Sequence, residues 1–456
     1  MISAPNTIKK KLSANKTTRR KTAATGAAIS LLLTAGGLSG NVDNYALSAA
    51  QSGAPHVTLS YLSLFGTGVM YKIQQEAATE FERAHPGVTV KLLTAPSGTT
   101  FAKFQTLAAA GSAPDVYMSQ AQWAGELLAH DVLAPVDYKA LGFKNAAQFA
   151  STYIPNALTP YISKGVLYGV PEEISNYQNW VNIADFKRAG LPVPLTWQQV
   201  CADGPKLTVT AGGKITQEEV ALPTGLPGAQ YLVLNSIAME YGKPLFNLAG
   251  TVSYLTSGPV VSALTMLQQL VYKCHAAYPA LNGGTHGAGR SVYTANKAAM
   301  MLTGGSWFYG LVIKPANPKL LAVSRPYPYP APAGRASTST SYGYAWVVTR
   351  SLNQRLAWEF VRTLRSQAPL VFKAIGLPDG EKTIGSTPAA AAAVPFWRSV
   401  WLPSLAKAHP QSALVNSSQI DDIISKAMDQ VLESDANVRA TLAAANQEVL
   451  PLLNKP

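Results

Sequence analysis

With 456 residues, 47% of them hydrophobic, the chain is long enough for two domains and too apolar to be disordered as a whole. Only 13% of the residues are charged, and the formal net charge of +13 divides into +6 for residues 1–50 and +7 for the other 406 residues. No run of five like charges occurs after residue 50, so the basic excess does not indicate a nucleic-acid partner.

The first 50 residues have the character of an export signal. Seven basic residues precede an uncharged stretch, residues 22–42, whose most apolar part is residues 29–33. This order is typical of a secretory signal peptide, and a retained N-terminal anchor is the alternative. We therefore expect an exported protein that works outside the cytoplasm, in the periplasm or at the cell surface.

The first elements after the signal alternate between strand and helix. Val57, Leu59 and Tyr61 alternate as on a strand, and the apolar spacing of residues 70–81 predicts a helix that ends before Pro86. Residues 88–92 alternate again. A strand, helix and strand in succession is typical of a parallel α/β sheet.

The same alternation continues along the rest of the chain. It predicts helices at 101–110, 123–128, 260–272, 352–364 and 420–432, a strand at 115–118 and a strand pair around 165–170. Residues 325–333 and 386–395 are interrupted by prolines and predict connections. The fold class is therefore α/β.

The chain carries no recognisable catalytic motif. No third glycine completes a dinucleotide-binding motif, and Phe308 stands where a nucleophile elbow around Ser306 needs glycine. The six histidines include no ligand-spaced pair, so we expect no metal and no cofactor. Glu172 and Glu173 are adjacent and cannot face each other on an extended segment. A secreted glycoside hydrolase that pairs one of them with a distant carboxylate is the alternative function.

Aromatic residues with a polar atom are abundant, with 20 Tyr and 8 Trp against 12 Phe. Such rings pack on the C–H face of a sugar and form hydrogen bonds at its rim. Many of these rings belong to the core, and those in loops are the better candidates for contact with a carbohydrate.

Six segments together resemble the extracellular solute-binding proteins of ABC importers, in the family that includes maltose-binding protein and other sugar binders. The likeness spans most of the chain after the signal. It is carried by residues 77–90 (AATEFERAHPGVTV), 113–135 (APDVYMSQAQWAGELLAHDVLAP), 166–191 (VLYGVPEEISNYQNWVNIADFKRAGL), 196–199 (TWQQ), 298–308 (AAMMLTGGSWF) and 357–364.

The resemblance implies a two-lobed, periplasmic-binding-protein-like fold that closes about hinge crossings on a ligand in the interlobe cleft. By position, lobe 1 would comprise residues 56–173 and 346–388, and lobe 2 residues 178–342 and 390–456. The crossings would then fall at 173–177, at 342–346 and near 386–395. The implied protein is not an enzyme: as a monomer, it delivers a small-molecule ligand to an ABC permease in the membrane.

The resemblance also implies which residues face the ligand. Trp307 matches a position that is often a stacking aromatic in the family's sugar binders. The other implied residues lie in strand-end loops, at the first two crossings and at the start of a second-lobe helix: Phe65, Ser119, Gln120, Gln122, Trp123, Glu173, Asn176, Tyr177, Gln230, Tyr231, Tyr342 and Tyr344.

Three alternatives stay open within this set. Trp123 equally fits a core position, and Tyr342 and Tyr344 equally fit packing of the hinge. A role that only shapes the hinge is the alternative for the residues of the first crossing. The loop at residues 119–122 lacks the charged residues common in the family, which favours a neutral mono- or oligosaccharide.

The two cysteines can form a structural bond. Export permits a disulfide between Cys201 and Cys274, and two unpaired buried thiols are the alternative. Both residues would lie in lobe 2, so a bridge between them would not lock the hinge.

The chain is also poor in acidic residues, with 24 Asp and Glu. Few carboxylates leave few groups whose protonation would unfold the protein as the pH falls. We therefore expect the fold to tolerate an acidic medium.

Overall fold

The structure is a computed structural model that describes residues 56–279 and 287–455 of the chain. The predicted signal peptide or anchor, residues 1–50, lies outside the described residues. Within the described ranges, no helix combines the length and the apolar character needed to cross a membrane.

The strands of the described residues form two main sheets and one small hairpin. In chain order they are β1 (Val57–Ser63), β2 (Val88–Thr94), β3 (Val116–Gln120), β4 (Ile162–Ser163), β5 (Val166–Leu167), β6 (Gly169–Asn176), β7 (Gln178–Asn182), β8 (Val209–Ala211), β9 (Lys214–Ala221), β10 (Ala298–Gly304), β11 (Ser324–Tyr327), β12 (Thr340–Val348) and β13 (His409–Pro410).

Helices connect and cover these strands. They are α1 (Gly68–Ala84), α2 (Thr100–Ala109), α3 (Ala124–Ala129), α4 (Ala146–Ser151), α5 (Pro155–Leu158), α6 (Ile183–Ala189), α7 (Trp197–Leu207), α8 (Pro227–Tyr241), α9 (Gly258–Tyr272), α10 (Arg290–Thr294), α11 (Lys314–Ala316), α12 (Pro318–Val323), α13 (Gln354–Ser366), α14 (Ala368–Ile375), α15 (Pro388–Ala393), α16 (Leu402–Lys407), α17 (Ser417–Ser434) and α18 (Val438–Val449).

The first sheet has the strand order β13-β12-β3-β1-β2, and β6 also pairs with β12. β1 runs parallel to β2 and β3, whereas β12 runs antiparallel to β3 and β6. Leu59 and Tyr61 of β1 are fully buried, and α1 buries the stripe that includes Met70 and Phe81. The predicted strand, helix and strand unit is thus confirmed as β1, α1 and β2.

The second sheet has the strand order β11-β7-β10-β9-β8. β10 runs parallel to β9 and antiparallel to β7. Beside this sheet, α8 packs against α9 and α17, and α18 packs against both of these helices. Because α8 is buried on nearly all sides, it forms the centre of this helical layer.

The apolar core continues from the first sheet onto the second. The cluster that fills the first sheet also includes Trp180 of β7, Phe308 and Trp401. The ring centroids of Trp180 and Phe308 are 5.0 Å apart, and those of Trp180 and Trp401 are 6.0 Å apart. A separate cluster fills the space between the second sheet and α8, α9, α17 and α18.

The chain passes from the first sheet to the second at Tyr177, because β6 ends at Asn176 and β7 begins at Gln178. It returns between β11 and β12, and β12 pairs with first-sheet strands from Thr340 onward. Residues 342–346, the expected second crossing, therefore lie inside β12. The sequence-based lobe boundaries themselves stay a prediction.

Both predicted connections contain regular structure. Ser324–Tyr327 forms the edge strand β11. Pro326 has no N–H to donate, and it is tolerated here because only one side of the strand is paired. Pro388–Ala393 forms helix α15, in which the side chain of Thr387 accepts a hydrogen bond from the N–H of Ala390 at 3.1 Å. Proline suits the first turn of a helix and alanine favours its interior, so the prediction of a plain connection was wrong.

Cys201 of α7 and Cys274, just after α9, form a disulfide bond with their Cα atoms 4.8 Å apart. No cysteine is free among the described residues. The bond ties α7 to the helical layer beside the second sheet.

Candidate functional site

Among the predicted ligand-binding residues, Trp307 is the one that packs against all three apolar clusters of the described residues. It follows β10 at the turn formed by Gly304, Gly305 and Ser306, and the Oγ of Ser306 donates to the carbonyl of Gly376 at 2.6 Å. Trp307 is half-buried and contacts apolar residues of both large clusters. It also contacts a small third cluster that includes Met70 and Leu377. The ring therefore lies where the two halves of the fold meet.

Polar and aromatic side chains surround Trp307. Its Nε1 donates to the hydroxyl of Tyr342 at 2.7 Å, and the ring centroids of Tyr342 and Tyr177 are 4.8 Å apart. The Nη2 of Arg290 donates to the hydroxyl of Tyr177 at 2.9 Å, and its guanidinium carbon lies 4.7 Å from the Trp307 ring centroid. We call Tyr177, Arg290, Trp307 and Tyr342 the Trp307 cluster.

Gly305 lets the backbone approach this cluster closely. A Cβ atom at position 305 would lie 2.5 Å from Ser175 Oγ, 2.5 Å from Trp307 Nε1 and 2.6 Å from the Tyr342 hydroxyl. These distances are shorter than any van der Waals contact. The turn therefore requires glycine, and it brings Ser175 of β6 beside the cluster.

Glu173 of β6 lies near the same cluster and is 5% exposed. Burial raises its pKa well above the usual range, the charge of Glu172 raises it further, and Arg290 opposes the shift. Burial raises the pKa of Glu172 to about 8, with Asp379 adding to the shift. Among the described residues, Glu173 Oε1 and Glu172 Oε2 have no hydrogen-bond partner. The structure therefore favours the uncharged form of both carboxyls.

A second group of predicted residues lies at the end of β3. Gln120 donates to the hydroxyl of Tyr344 at 2.6 Å, and Tyr344 pairs with Gln120 on one side and Glu173 on the other. Ser119 is fully buried, and its hydroxyl donates to the carbonyl of Gln120. Gln122 is half-buried, and its Oε1 would lie 3.4 Å from a Cβ at Gly228 of α8. Gln122 therefore reaches the helical layer of the second sheet.

Phe65 meets Trp307 through shared neighbours. It is half-buried in the loop after β1 and, like Trp307, packs against the small cluster of Met70, Ile73, Val371, Ile375 and Leu377. Its backbone N–H donates to Ser63 Oγ at 3.1 Å. The side chain rather than this N–H is therefore available at the meeting of the two halves.

Four further predicted residues also lie outside the Trp307 cluster. Trp123 stacks on Phe101, Tyr231 stacks on Phe246, and Gln230 donates to Asp429 at 2.7 Å. Asn176 is fully buried and donates to Ser339 Oγ at 2.6 Å. The two rings pack within the fold and the two amides form internal hydrogen bonds, and contact of any of the four with a ligand stays a prediction.

Sequence reasoning did not select Arg290. It begins the short helix α10 after Gly289, and no motif or spacing links it to Trp307. The only signal was an isolated arginine in a glycine-rich stretch of a chain with few charges. Its position depends on the pairing of β10 with β7, which only the folded structure supplies.

Other features of the described residues do not mark a second site of this kind. No group of three or more His, Cys, Asp and Glu residues within the described ranges is arranged to hold a metal ion. A surface groove of about 920 Å³ runs beside the disulfide, between α7, α9 and the start of α18. None of its lining residues belongs to the Trp307 cluster, so this groove is separate from the candidate ligand site.

Comparisons with known proteins agree with this architecture. The GacH receptor of Streptomyces glaucescens, determined unliganded and with acarbose, aligns with a TM-score of 0.75 and 21% identity over 88% of this chain and 99% of the receptor. A solute-binding protein from Thermotoga lettingae, bound with α-D-tagatose, aligns with a TM-score of 0.75 and 20% identity over 87% of this chain and all of that protein.

A third structure, UgpB of Mycobacterium tuberculosis in complex with glycerophosphocholine, aligns with a TM-score of 0.72 and 17% identity over 88% of this chain and 98% of UgpB. These likenesses confirm the predicted two-lobed α/β fold. No curated protein sequence matches the chain. Residues 66–369 match the family described as bacterial extracellular solute-binding protein, and the chain therefore belongs to that family.

Proposed function

We propose that the protein captures a carbohydrate outside the cytoplasm and delivers it to an ABC importer, without chemical change to the ligand. Membership of the extracellular solute-binding family supports export and solute capture. The acarbose and tagatose complexes of the similar structures support a saccharide as the ligand class.

The observation that carries the proposal is the Trp307 cluster. Trp307 is half-buried, so part of the residue remains accessible to a ligand. Its Nε1 donates to the hydroxyl of Tyr342, and the guanidinium beside the ring donates to the hydroxyl of Tyr177. A flat apolar face with polar atoms at its rim suits a sugar ring, which has C–H faces and hydroxyl groups at its edge.

The position of the cluster supports closure on the ligand. Tyr177 is the residue at which the chain passes between the sheets, Trp307 follows β10 of the second sheet, and Tyr342 lies on β12 of the first sheet. A ligand bound to all three would stabilise one arrangement of the two halves over others. We propose that this closed arrangement, as a monomer, docks on the membrane permease.

A thermal-shift screen of the purified protein tests the proposal. We expect one class of mono-, di- or oligosaccharides to raise the melting temperature, because a ligand at 100 times its dissociation constant stabilises a protein by about 2.7 kcal/mol. Calorimetry would then give the affinity, and chromatography of the recovered ligand would show it unchanged. Cleavage of the saccharide would support the glycoside hydrolase instead, and a shift with amino acids or polyamines only would exclude carbohydrate.

A further inference from the structure

Arg290 places a fixed cation beside Trp307. Its Nε donates to the carbonyl of Thr303 at 2.9 Å and its Nη2 donates to the Tyr177 hydroxyl at 2.9 Å. The guanidinium also covers one face of the Trp307 ring, 4.7 Å from its centroid. With two donors anchored and one face stacked, the side chain has its orientation before a ligand arrives.

Among the residues that the structure describes, this cation has no carboxylate within ion-pair distance. None of the ion pairs among the described residues includes Arg290, and its Nη1 donates to no acceptor there. Glu173 is the carboxyl that Arg290 influences, and burial of Glu173 disfavours its charged form. Arg290 is partly exposed, so water solvates its remaining donors in the absence of a ligand.

Closure around a ligand would remove that water. Enclosing an unpaired charge costs free energy unless an opposite charge replaces the solvent. A neutral sugar leaves the guanidinium unpaired. A carboxylate or a phosphate accepts charge-assisted, bidentate hydrogen bonds from it.

We propose that Arg290 is a ligand-binding residue and that the ligand is an acidic saccharide, with its anionic group on Arg290 and a sugar ring against the exposed part of Trp307. This inference rests on the proposed function and specifies the ligand class of the same site. The loop at residues 119–122 has no charged side chain and carries Ser119, Gln120 and Gln122, so it suits the hydroxyls at the other end of the ligand.

Calorimetry with matched pairs of ligands tests the inference. The neutral members are glucose, galactose and their disaccharides, and the acidic members are the corresponding uronic acids and sugar phosphates. Glycerophosphocholine provides a phosphate without a sugar ring. We expect at least one acidic member to bind about tenfold or more tightly than its neutral counterpart.

Two substitutions assign the preference to Arg290. Arg290→Gln removes the charge and should lower the affinity for acidic ligands by about 10- to 100-fold, the range expected for hydrogen bonds to a charged group. Neutral counterparts should change less than about threefold. Arg290→Lys keeps the charge and should lose less. Arg325→Gln is the matched control, because Arg325 also stacks on a ring, that of Phe396, and donates to two backbone carbonyls.

The outcomes separate the inference from the proposed function. Binding of neutral sugars without preference for their acids, or equal losses for both in Arg290→Gln, overturns the inference and leaves the carbohydrate function intact. Binding of glycerophosphocholine alone supports the role of Arg290 and overturns the saccharide. If no member of the panel binds, both proposals fail.

Discussion

Trp123 and Trp307 follow strand ends in similar loops and have opposite surroundings. Trp123 comes soon after β3, is 5% exposed and lies parallel to Phe101 at a centroid distance of 5.0 Å. Trp307 comes soon after β10, stays half-buried and is surrounded by Tyr342, Arg290 and the Gly305 backbone. The position of a tryptophan at a strand end therefore does not identify a ligand site. The groups that contact the ring decide whether it serves packing or binding.

Alanine substitution at the two tryptophans tests this comparison most directly. Trp123→Ala should lower the free energy of unfolding by about 3–5 kcal/mol, as for other large buried aromatics, and leave the dissociation constant of the ligand nearly unchanged. Trp307→Ala should raise the dissociation constant of the ligand by roughly 30-fold or more, because a central stacking residue contributes at least about 2 kcal/mol to binding.

Urea unfolding and calorimetry on both variants provide the measurement. Trp307 touches three apolar clusters, so some loss of stability is expected in Trp307→Ala, smaller than that in Trp123→Ala. The comparison would be wrong if Trp123→Ala abolished binding while retaining its stability, or if Trp307→Ala left the affinity unchanged.

The disulfide extends the comparison to a feature that should act on stability alone. Replacing both Cys201 and Cys274 by alanine should lower the free energy of unfolding by about 2–4 kcal/mol, since the bond closes a loop of 73 residues in the unfolded chain. Neither cysteine belongs to the Trp307 cluster, so the ligand affinity should stay the same. Reduction of the unsubstituted protein with a thiol should reproduce the lower urea midpoint, and a changed affinity would connect the bond to the site.

The sequence predicted elements better than it predicted neighbours. Alternation at Val57, Leu59 and Tyr61 and the apolar stripe of α1 depend on residues close in the chain, and both were confirmed. The approach of Arg290 to Trp307 depends on the register of β10 against β7 and on the turn at Gly305, which no local pattern encodes.

The errors of sequence reasoning have local physical reasons. The alanine run in α15 lies between prolines, and reading those prolines as breaks overlooked that one of them begins the helix. The short strand β11 gains its stability from pairing with β7, which is far away in the sequence. The pattern at Trp123 fitted both a core residue and a ligand contact. Its stacking on Phe101 supports the core role, and its contact with a ligand stays a prediction.

Gly305 offers a finer test of the Trp307 region. Gly305→Ala would place a methyl group 2.5–2.6 Å from three polar atoms, and overpacking of this kind costs about 1–3 kcal/mol. The cost should appear both in the urea midpoint and as weaker ligand binding, because Trp307 and Tyr342 must move. Gly258→Ala is the control, since an added Cβ there has nothing within 4 Å. Equal behaviour of the two variants would contradict the close approach.

Buried carboxyls should make the free energy of unfolding depend on pH. Near the Trp307 cluster, Arg290 opposes the upward shift of the Glu173 pKa. Glu219 of β9 is fully buried and, among the described residues, has no hydrogen-bond partner for either oxygen. Burial raises the pKa of Glu219 to about 9, and Asp203 adds to the shift. Burial likewise raises the pKa of Asp379 to about 7 and of Asp421 to about 8.

In the unfolded chain, the pKa of Glu is about 4.3. A carboxyl whose pKa is higher in the folded state binds its proton more tightly when the protein is folded. Its stabilising contribution is complete below that lower pKa and is lost as the pH rises through the higher one. The free energy of unfolding should therefore fall from pH 5 to pH 9, in line with a fold that tolerates acid. Glu219→Gln should reduce this fall by at least about 1 kcal/mol, whereas Glu76→Gln, at an exposed position of α1, should follow the unsubstituted protein. Urea midpoints that rise with pH over this range would contradict the prediction, because they would show that the charged form of these carboxyls stabilises the fold.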